Sequence, residues 1–136
     1  VKLDTNGTFP ERLRALLDDG LVDYVAMDIK NCLPKYPKTV GLRDLDTTPI
    51  QESVRLLQHG GVDYEFRTTV VKELHKREDI EAIGQWLSGS RRYFLQNYKE
   101  SEQVIRPVFT SYSREQLENF QQILRKMIPQ VEIRGI

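Results

Sequence analysis

The stretch Asp23-Tyr-Val-Ala-Met-Asp-Ile-Lys30 decides how this chain is read. Its middle is apolar, as in a buried β-strand, and its end carries two opposite charges. Side chains alternate along a strand with a period of two. Tyr24, Ala26, Asp28 and Lys30 therefore share one face. An acid and a base at the end of a buried strand need a cause, because unpaired buried charge is costly. One reading is a structural ion pair at the strand tip. The other is that this tip forms the floor of a binding site.

Upstream, Val1 to Leu3 reads as a short strand, and Asp4-Thr-Asn-Gly7 as turn and cap residues. Thr8 and Glu11 have capping-box spacing, with Pro10 in the first turn of a helix striped by Leu13, Leu16 and Leu17. Downstream, Asn31 to Asp46 reads as an irregular loop, longer than the usual ~2–6 residues after a strand and so a candidate lid or binding loop. Thr48 to Gln51 is a second capping box, opening a helix that ends at Gly60-Gly61. The next strand, Val62 to Val71, places Val62, Tyr64, Phe66, Thr68 and Val70 on one face. Asp63, Glu65, Arg67, Thr69 and Val71 lie on the other, a face too polar for a plain core but suited to the inside of a barrel. Asp63 and Glu65 either line that interior or pair with Arg67 in a structural network.

Lys76 to Leu87 reads as a helix, Tyr93 to Tyr98 as a strand, and Lys99 to Tyr112 as a second long loop. Ser113 to Gln116 is a third capping box, opening a helix to about Met127. Val131 to Ile136 is a last strand. Strands alternating with helices imply a parallel sheet with right-handed crossovers, and in such folds the site lies at the carboxyl ends of the strands. Asp4, Asp28, Lys30 and Asn97 all fall at predicted strand ends, and Arg67 points to the polar face. Five polar groups converging on one rim favour a site over an isolated ion pair.

The 136 residues suffice for one domain with a modest core. Twenty basic residues balance twenty acidic ones, which argues against a nucleic-acid or anionic-membrane surface. No apolar run approaches the ~20 residues of a membrane helix. The first residues read as folded strand rather than a leader, and the expected location is the cytoplasm. The lone Cys32 excludes a disulfide framework or a multi-cysteine metal site within the chain.

In order and spacing, Asp4-Thr-Asn-Gly7, Asp28-Ile-Lys30 and Arg67-Thr-Thr-Val-Val71 resemble the second half of a radical S-adenosylmethionine enzyme of the glycyl-radical activating group. Tyr93 to Tyr98, Tyr112 to Leu117 and Val131 to Ile136 resemble, more narrowly, the activating proteins of anaerobic ribonucleoside-triphosphate reductase. Pyruvate formate-lyase activating enzymes are near relatives. The resemblance implies the C-terminal half of a partial (βα) barrel of TIM-like type, with residues 1–136 forming one domain. It implies S-adenosylmethionine as cofactor, cleaved by an electron from a [4Fe-4S] cluster to give a 5′-deoxyadenosyl radical that takes a hydrogen from a glycine of the partner enzyme. A flavodoxin or ferredoxin is the implied electron donor. By the same resemblance, Asn6, Lys30, Arg67 and Asn97 contact S-adenosylmethionine. Asp4, Thr5 and Asp28 border a monovalent cation. Where formate-lyase activases carry a histidine, this chain has Lys99.

The family's C-x3-C-x2-C cluster loop and its Gly-Gly-Glu stretch precede the first strand seen here, so the chain reads as a fragment that is inactive by itself. Cys32 reads as an incidental loop thiol. His59 and His75 read as solvated, Arg91 and Arg92 as flanking a strand in water, and Trp86 as core. Two rival functions fit the pattern. One is a (βα) lyase with Lys30 as a Schiff-base amine. The other is a non-catalytic docking domain for a glycyl-radical enzyme, using the loops Asn31–Asp46 and Lys99–Tyr112. A half barrel leaves a sheet edge open, so the chain is expected to self-associate or to cover that edge with its own loops.

Overall fold

The computed structural model describes residues 1–98 and 109–135. Five strands run β1 (Lys2–Thr5), β2 (Tyr24–Asp28), β3 (Asp63–Val70), β4 (Arg92–Asn97) and β5 (Gln130–Arg134). They are separated by α1 (Pro10–Asp18), α2 (Tyr36–Val40), α3 (Thr48–His59), α4 (Arg77–Trp86) and α5 (Arg114–Arg125). All strand pairs are parallel and the sheet order is sequential, β1-β2-β3-β4-β5. A sheet wound in one direction carries its helices on one face and curls toward a barrel. The fold is therefore α/β, an open partial barrel.

Register fixes the two faces. Asp28 pairs with Arg67, Arg67 with Phe94 and Phe94 with Glu132, so these side chains share the concave face. Asp4, Tyr24, Glu65, Gln96 and Arg134 lie on it too. The alternate residues Val25, Met27, Phe66, Val70, Tyr93, Leu95 and Val131 are buried on the helical face. There they form one core cluster with Leu13 of α1, Val54 and Leu57 of α3, Ile80 and Ile83 of α4, and Leu117 and Leu124 of α5. The polar alternation of β3 thus marks the barrel interior, as expected.

Several local expectations are corrected. Asp4 and Thr5 belong to β1 rather than to a turn. Phe9 stands at the N-cap of α1, and no Thr8–Glu11 box forms. The Asn6 side chain instead accepts from the Thr8 amide at 3.1 Å and its hydroxyl at 2.6 Å. The second box does not form either: Thr48 is the first residue of α3, its N-cap Thr47 makes no side-chain cap bond, and the Gln51 side-chain Nε2 donates to Thr47 Oγ1 at 3.0 Å. Only Ser113–Gln116 forms the expected reciprocal box. Only half of the segment after β2 is irregular: Leu33–Lys35 folds as a 3-10 turn and Tyr36–Val40 as α2, and the rest, to Asp46, has no helix or strand. Most of the second loop, residues 99–108, lies outside the described residues, Lys99 with it.

Candidate active site

The carboxyl ends of β2 and β3 meet at a charged cluster. Arg67 Nε donates to Asp28 Oδ1 at 2.6 Å, and Arg67 Nη1 lies 3.6 Å from Asp4 Oδ1. Lys30 Nζ stands 3.9 Å from Asp28 Oδ2. Burial weighs against the Arg67 charge. The hydrogen bond that Arg67 donates to Asp28, with the attraction of Asp28 and Asp4, more than offsets it and holds the guanidinium pKa above its ordinary value. The cluster borders a cleft of about 270 Å³, whose other walls include Thr39, Thr69, Val71, His75, Tyr98 and Phe109. Tyr98 and Phe109 meet edge to face, with ring centroids 6.0 Å apart. A larger hollow of about 600 Å³ opens between α4 and α5 and is lined by none of the clustered charges. The smaller cleft is the candidate because polar groups converge there, at the end of the sheet where such folds place their chemistry.

Asp4, Asp28, Lys30 and Arg67 come together as expected. Three other candidates do not join them. Thr5, opposite Met27 in register, lies on the helical face, and its Oγ1 accepts the Gly7 amide at 3.1 Å. Asn97, opposite Val70, also lies on the helical face. Among the described residues its buried Oδ1 has no hydrogen-bond partner. Asn6 is engaged with Thr8. The guanidinium of Arg67 stands between the carboxylates expected to flank a cation. Among the described residues, no three His, Cys, Asp or Glu side chains are grouped to hold a metal ion.

Asp63 and Glu65 take neither Arg67 nor each other. Asp63 accepts from Arg92 at 2.5 Å, so Arg92 is paired and half buried rather than free in water. Glu65, 2% exposed, accepts from Tyr24 Oη at 2.8 Å and from Arg134 at 3.0 Å. Cys32 is buried in the core, not exposed on a loop. Burial is the main cause that raises its pKa, and Asp79 at 3.7 Å adds to it.

The clearest departure is His75, which is 1% exposed rather than solvated. Its Nδ1 accepts the Val71 amide at 3.1 Å, and its Nε2 lies 2.8 Å from the Lys30 carbonyl. The first contact requires a bare Nδ1 and the second a proton on Nε2, which fixes a neutral tautomer. Burial, the largest cause, lowers its pKa. Tyr36 was also missed as a site residue: its hydroxyl accepts the Lys30 amide at 3.0 Å, and burial pushes its pKa up to about 12. The apolar neighbours Val70, Val71 and Leu74 were the available signal that His75 is covered.

An open parallel (βα) sheet with a charged cleft at its carboxyl edge has the architecture of a barrel-type enzyme. Comparison with known proteins narrows that class. The chain is 35% identical over 106 residues to a Methanocaldococcus jannaschii protein assigned as a glycyl-radical enzyme activating enzyme. The match covers 75% of this chain and 44% of that protein. The chain thus spans less than half the length of this curated relative. Its fold is similar to the crystal structure of a domain of pyruvate-formate lyase-activating enzyme from Bacteroides vulgatus. The TM-score is 0.75 at 13% identity, over 98% of this chain and 80% of that one. No family model matches. Homology relates the chain to the glycyl-radical enzyme activating enzymes, and the structural likeness shows the shared fold.

Proposed function

We propose that this chain is the C-terminal part of a radical S-adenosylmethionine enzyme that activates a glycyl-radical enzyme, and that its cleft holds part of the S-adenosylmethionine. The observation that carries this reading is the Arg67 fork, fixed by Asp28 and flanked by Lys30 at the mouth of a partly apolar cleft. A planar donor fork beside an ammonium suits a carboxylate or vicinal ribose hydroxyls. Tyr98, Phe109 and Val71 offer apolar surface to an aromatic base. At about 270 Å³ the cleft falls just below the ~300–1,000 Å³ of a complete small-molecule pocket. That suits a chain which supplies one wall of the site.

S-adenosylmethionine supplies the radical chemistry when bound in such an enzyme; this chain's residues bind and orient. Lys30 and Arg67 neutralise the ligand's carboxylate, while Asp28 keeps the guanidinium aimed. The iron–sulfur cluster does not fit this chain. A [4Fe-4S] cluster needs several thiolates, and the single Cys32 is buried beside Asp79. The reading therefore places the cluster on residues outside this chain, with a flavodoxin or ferredoxin as electron donor. The partner is an anaerobic ribonucleotide reductase or a formate-lyase-type enzyme, and the setting is cytoplasmic.

Lys30 offers less to the Schiff-base reading. Its side chain is 48% exposed and faces a carboxylate, whereas a nucleophilic amine needs desolvation or a neighbouring cation. The test is to reconstitute the full-length enzyme with iron and sulfide under anoxia. Reductive cleavage of S-adenosylmethionine to 5′-deoxyadenosine, with a glycyl radical signal on one of the two candidate partners, is the expected outcome. A reconstituted protein that does not bind S-adenosylmethionine overturns the proposal.

A further inference from the structure

Lys30 lies two residues beyond the end of β2, where the sheet no longer holds the backbone. Its side chain is half exposed and meets only Asp28 among the ion pairs of the described residues, at 3.9 Å. Its backbone is nevertheless gripped on both polar groups. The Lys30 amide donates to Tyr36 Oη at 3.0 Å, and its carbonyl accepts from His75 Nε2 at 2.8 Å. Tyr36 and His75 are each 1% exposed, so neither bond competes with water.

The His75 ring also reaches the strand that carries Arg67. Its Nδ1 accepts from Val71, four residues beyond Arg67 along β3 and the loop that follows it. The Tyr112 hydroxyl in turn donates to the His75 carbonyl. One imidazole therefore links the exits of β2 and β3, whose side chains Lys30 and Arg67 must meet the same ligand.

We infer that His75 is a positioning residue, with Tyr36 as its counterpart: together they clamp the Lys30 backbone and set the spacing between the Lys30 ammonium and the Arg67 guanidinium. This rests on the proposed S-adenosylmethionine site. His75 borders the cleft but is 1% exposed, and in this scheme it acts through the Lys30 backbone.

The test is a double-mutant cycle on S-adenosylmethionine affinity in the unreduced full-length enzyme, measured by calorimetry, with the melting temperature of each variant recorded. Lys30→Ala should weaken binding about tenfold, as loss of a charged hydrogen bond does. His75→Asn keeps a partner for Val71 but cannot reach the Lys30 carbonyl, and should weaken binding about three- to tenfold. His75→Gln reaches it and should recover most of that loss. In the Lys30→Ala background, His75→Asn should have little further effect, because the two act as one unit. Additive losses would make His75 a general structural residue and overturn the inference, as would unchanged affinity in His75→Asn. Unchanged affinity in Lys30→Ala would instead remove the binding reading on which the inference stands. If His75→Asn does not fold, Tyr36→Phe removes only a hydroxyl and carries the same cycle.

Discussion

Arg67 Nε donates to Asp28 Oδ1 at 2.6 Å across paired positions of β2 and β3, so one side chain's aim depends on the other. The sheet register makes them neighbours, and the curl of the sheet turns both toward the cleft. A guanidinium fixed in this way has lost most of its rotamer freedom before a ligand arrives, which favours binding.

Arg67→Ala should therefore lower S-adenosylmethionine affinity by about ten- to a hundredfold, the range expected for a lost charge-assisted contact. Arg67→Lys should recover only part of it, because an ammonium lacks the fork. Asp28→Asn should weaken binding less than Arg67→Ala, since the guanidinium remains but is less well held. Isothermal titration of the three variants ranks them. Equal losses for lysine and alanine would show that geometry outweighs charge; full recovery by lysine would sink the role given to the fork.

How much of this was legible in the sequence differs by residue. The alternation of β3 gave both faces of the sheet, and Ser113 and Gln116 marked the start of α5, because those signals are local. Asn97 was misplaced although its signal was present. Tyr93 and Leu95 are apolar at the same parity, which assigns Asn97 to the helical face. His75 lies in a charged loop, which suggests a solvated ring, yet a turn closed by the His75 amide on the Val71 carbonyl carries that ring under the strand ends. Tyr36 needed the knowledge that Tyr36–Val40 folds back as a helix, and its Pro37 suggested a loop. Long-range clamps on a backbone leave no periodic trace.

Gly7 follows the Asp4–Thr5 end of β1 and takes φ +77°. Its carbonyl accepts from Ser53 Oγ at 2.8 Å, and a Cβ there would fall onto the terminal methyl of Met27. Gly7→Ala meets two costs together, left-handed backbone strain and overpacking, and should destabilise by about 1–3 kcal/mol. Urea denaturation reads this directly. A loss below about 0.5 kcal/mol would mean that Met27 moves aside freely, as an adaptable thioether can.

Burial is the main cause that holds the His75 pKa below its ordinary value, and the Lys35 charge adds to it. The Lys30 carbonyl and the Asp79 carboxylate act in the other direction. The folded state therefore binds fewer protons at His75 than the unfolded state between the depressed pKa and about 6.5. Stability rises with pH where the unfolded state holds more protons, so this contribution is complete above about 6.5 and is lost progressively as pH falls below it. Denaturation midpoints from pH 8 to pH 5 should fall in the native protein and fall less steeply in His75→Gln. Parallel slopes would assign the acid sensitivity to other groups.

Glu65 is the most deeply buried carboxylate of the concave face, and its partners come from two other strands, Tyr24 from β2 and Arg134 from β5. Arg134 reaches it by crossing β4, where its guanidinium lies 3.5 Å from the centre of the Phe94 ring. The pair thus ties the edge strand to the middle of the sheet across the barrel floor. Removing one partner of a buried ion pair costs mainly by stranding the other charge. Arg134 is partly exposed, so Arg134→Ala should cost about 1–3 kcal/mol rather than the larger values of fully buried pairs. Adding Glu65→Gln should return part of that loss, because the stranded carboxylate is gone while Tyr24 keeps an acceptor. Arg134→Lys separates the two contacts, since an ammonium can meet Glu65 but cannot stack flat on Phe94. If Arg134→Ala proves as stable as the native protein, β5 is held by its ladder, by the packing of Val131 and Ile133, and by the bonds that Gln121 and Arg125 of α5 donate to the Val131 carbonyl.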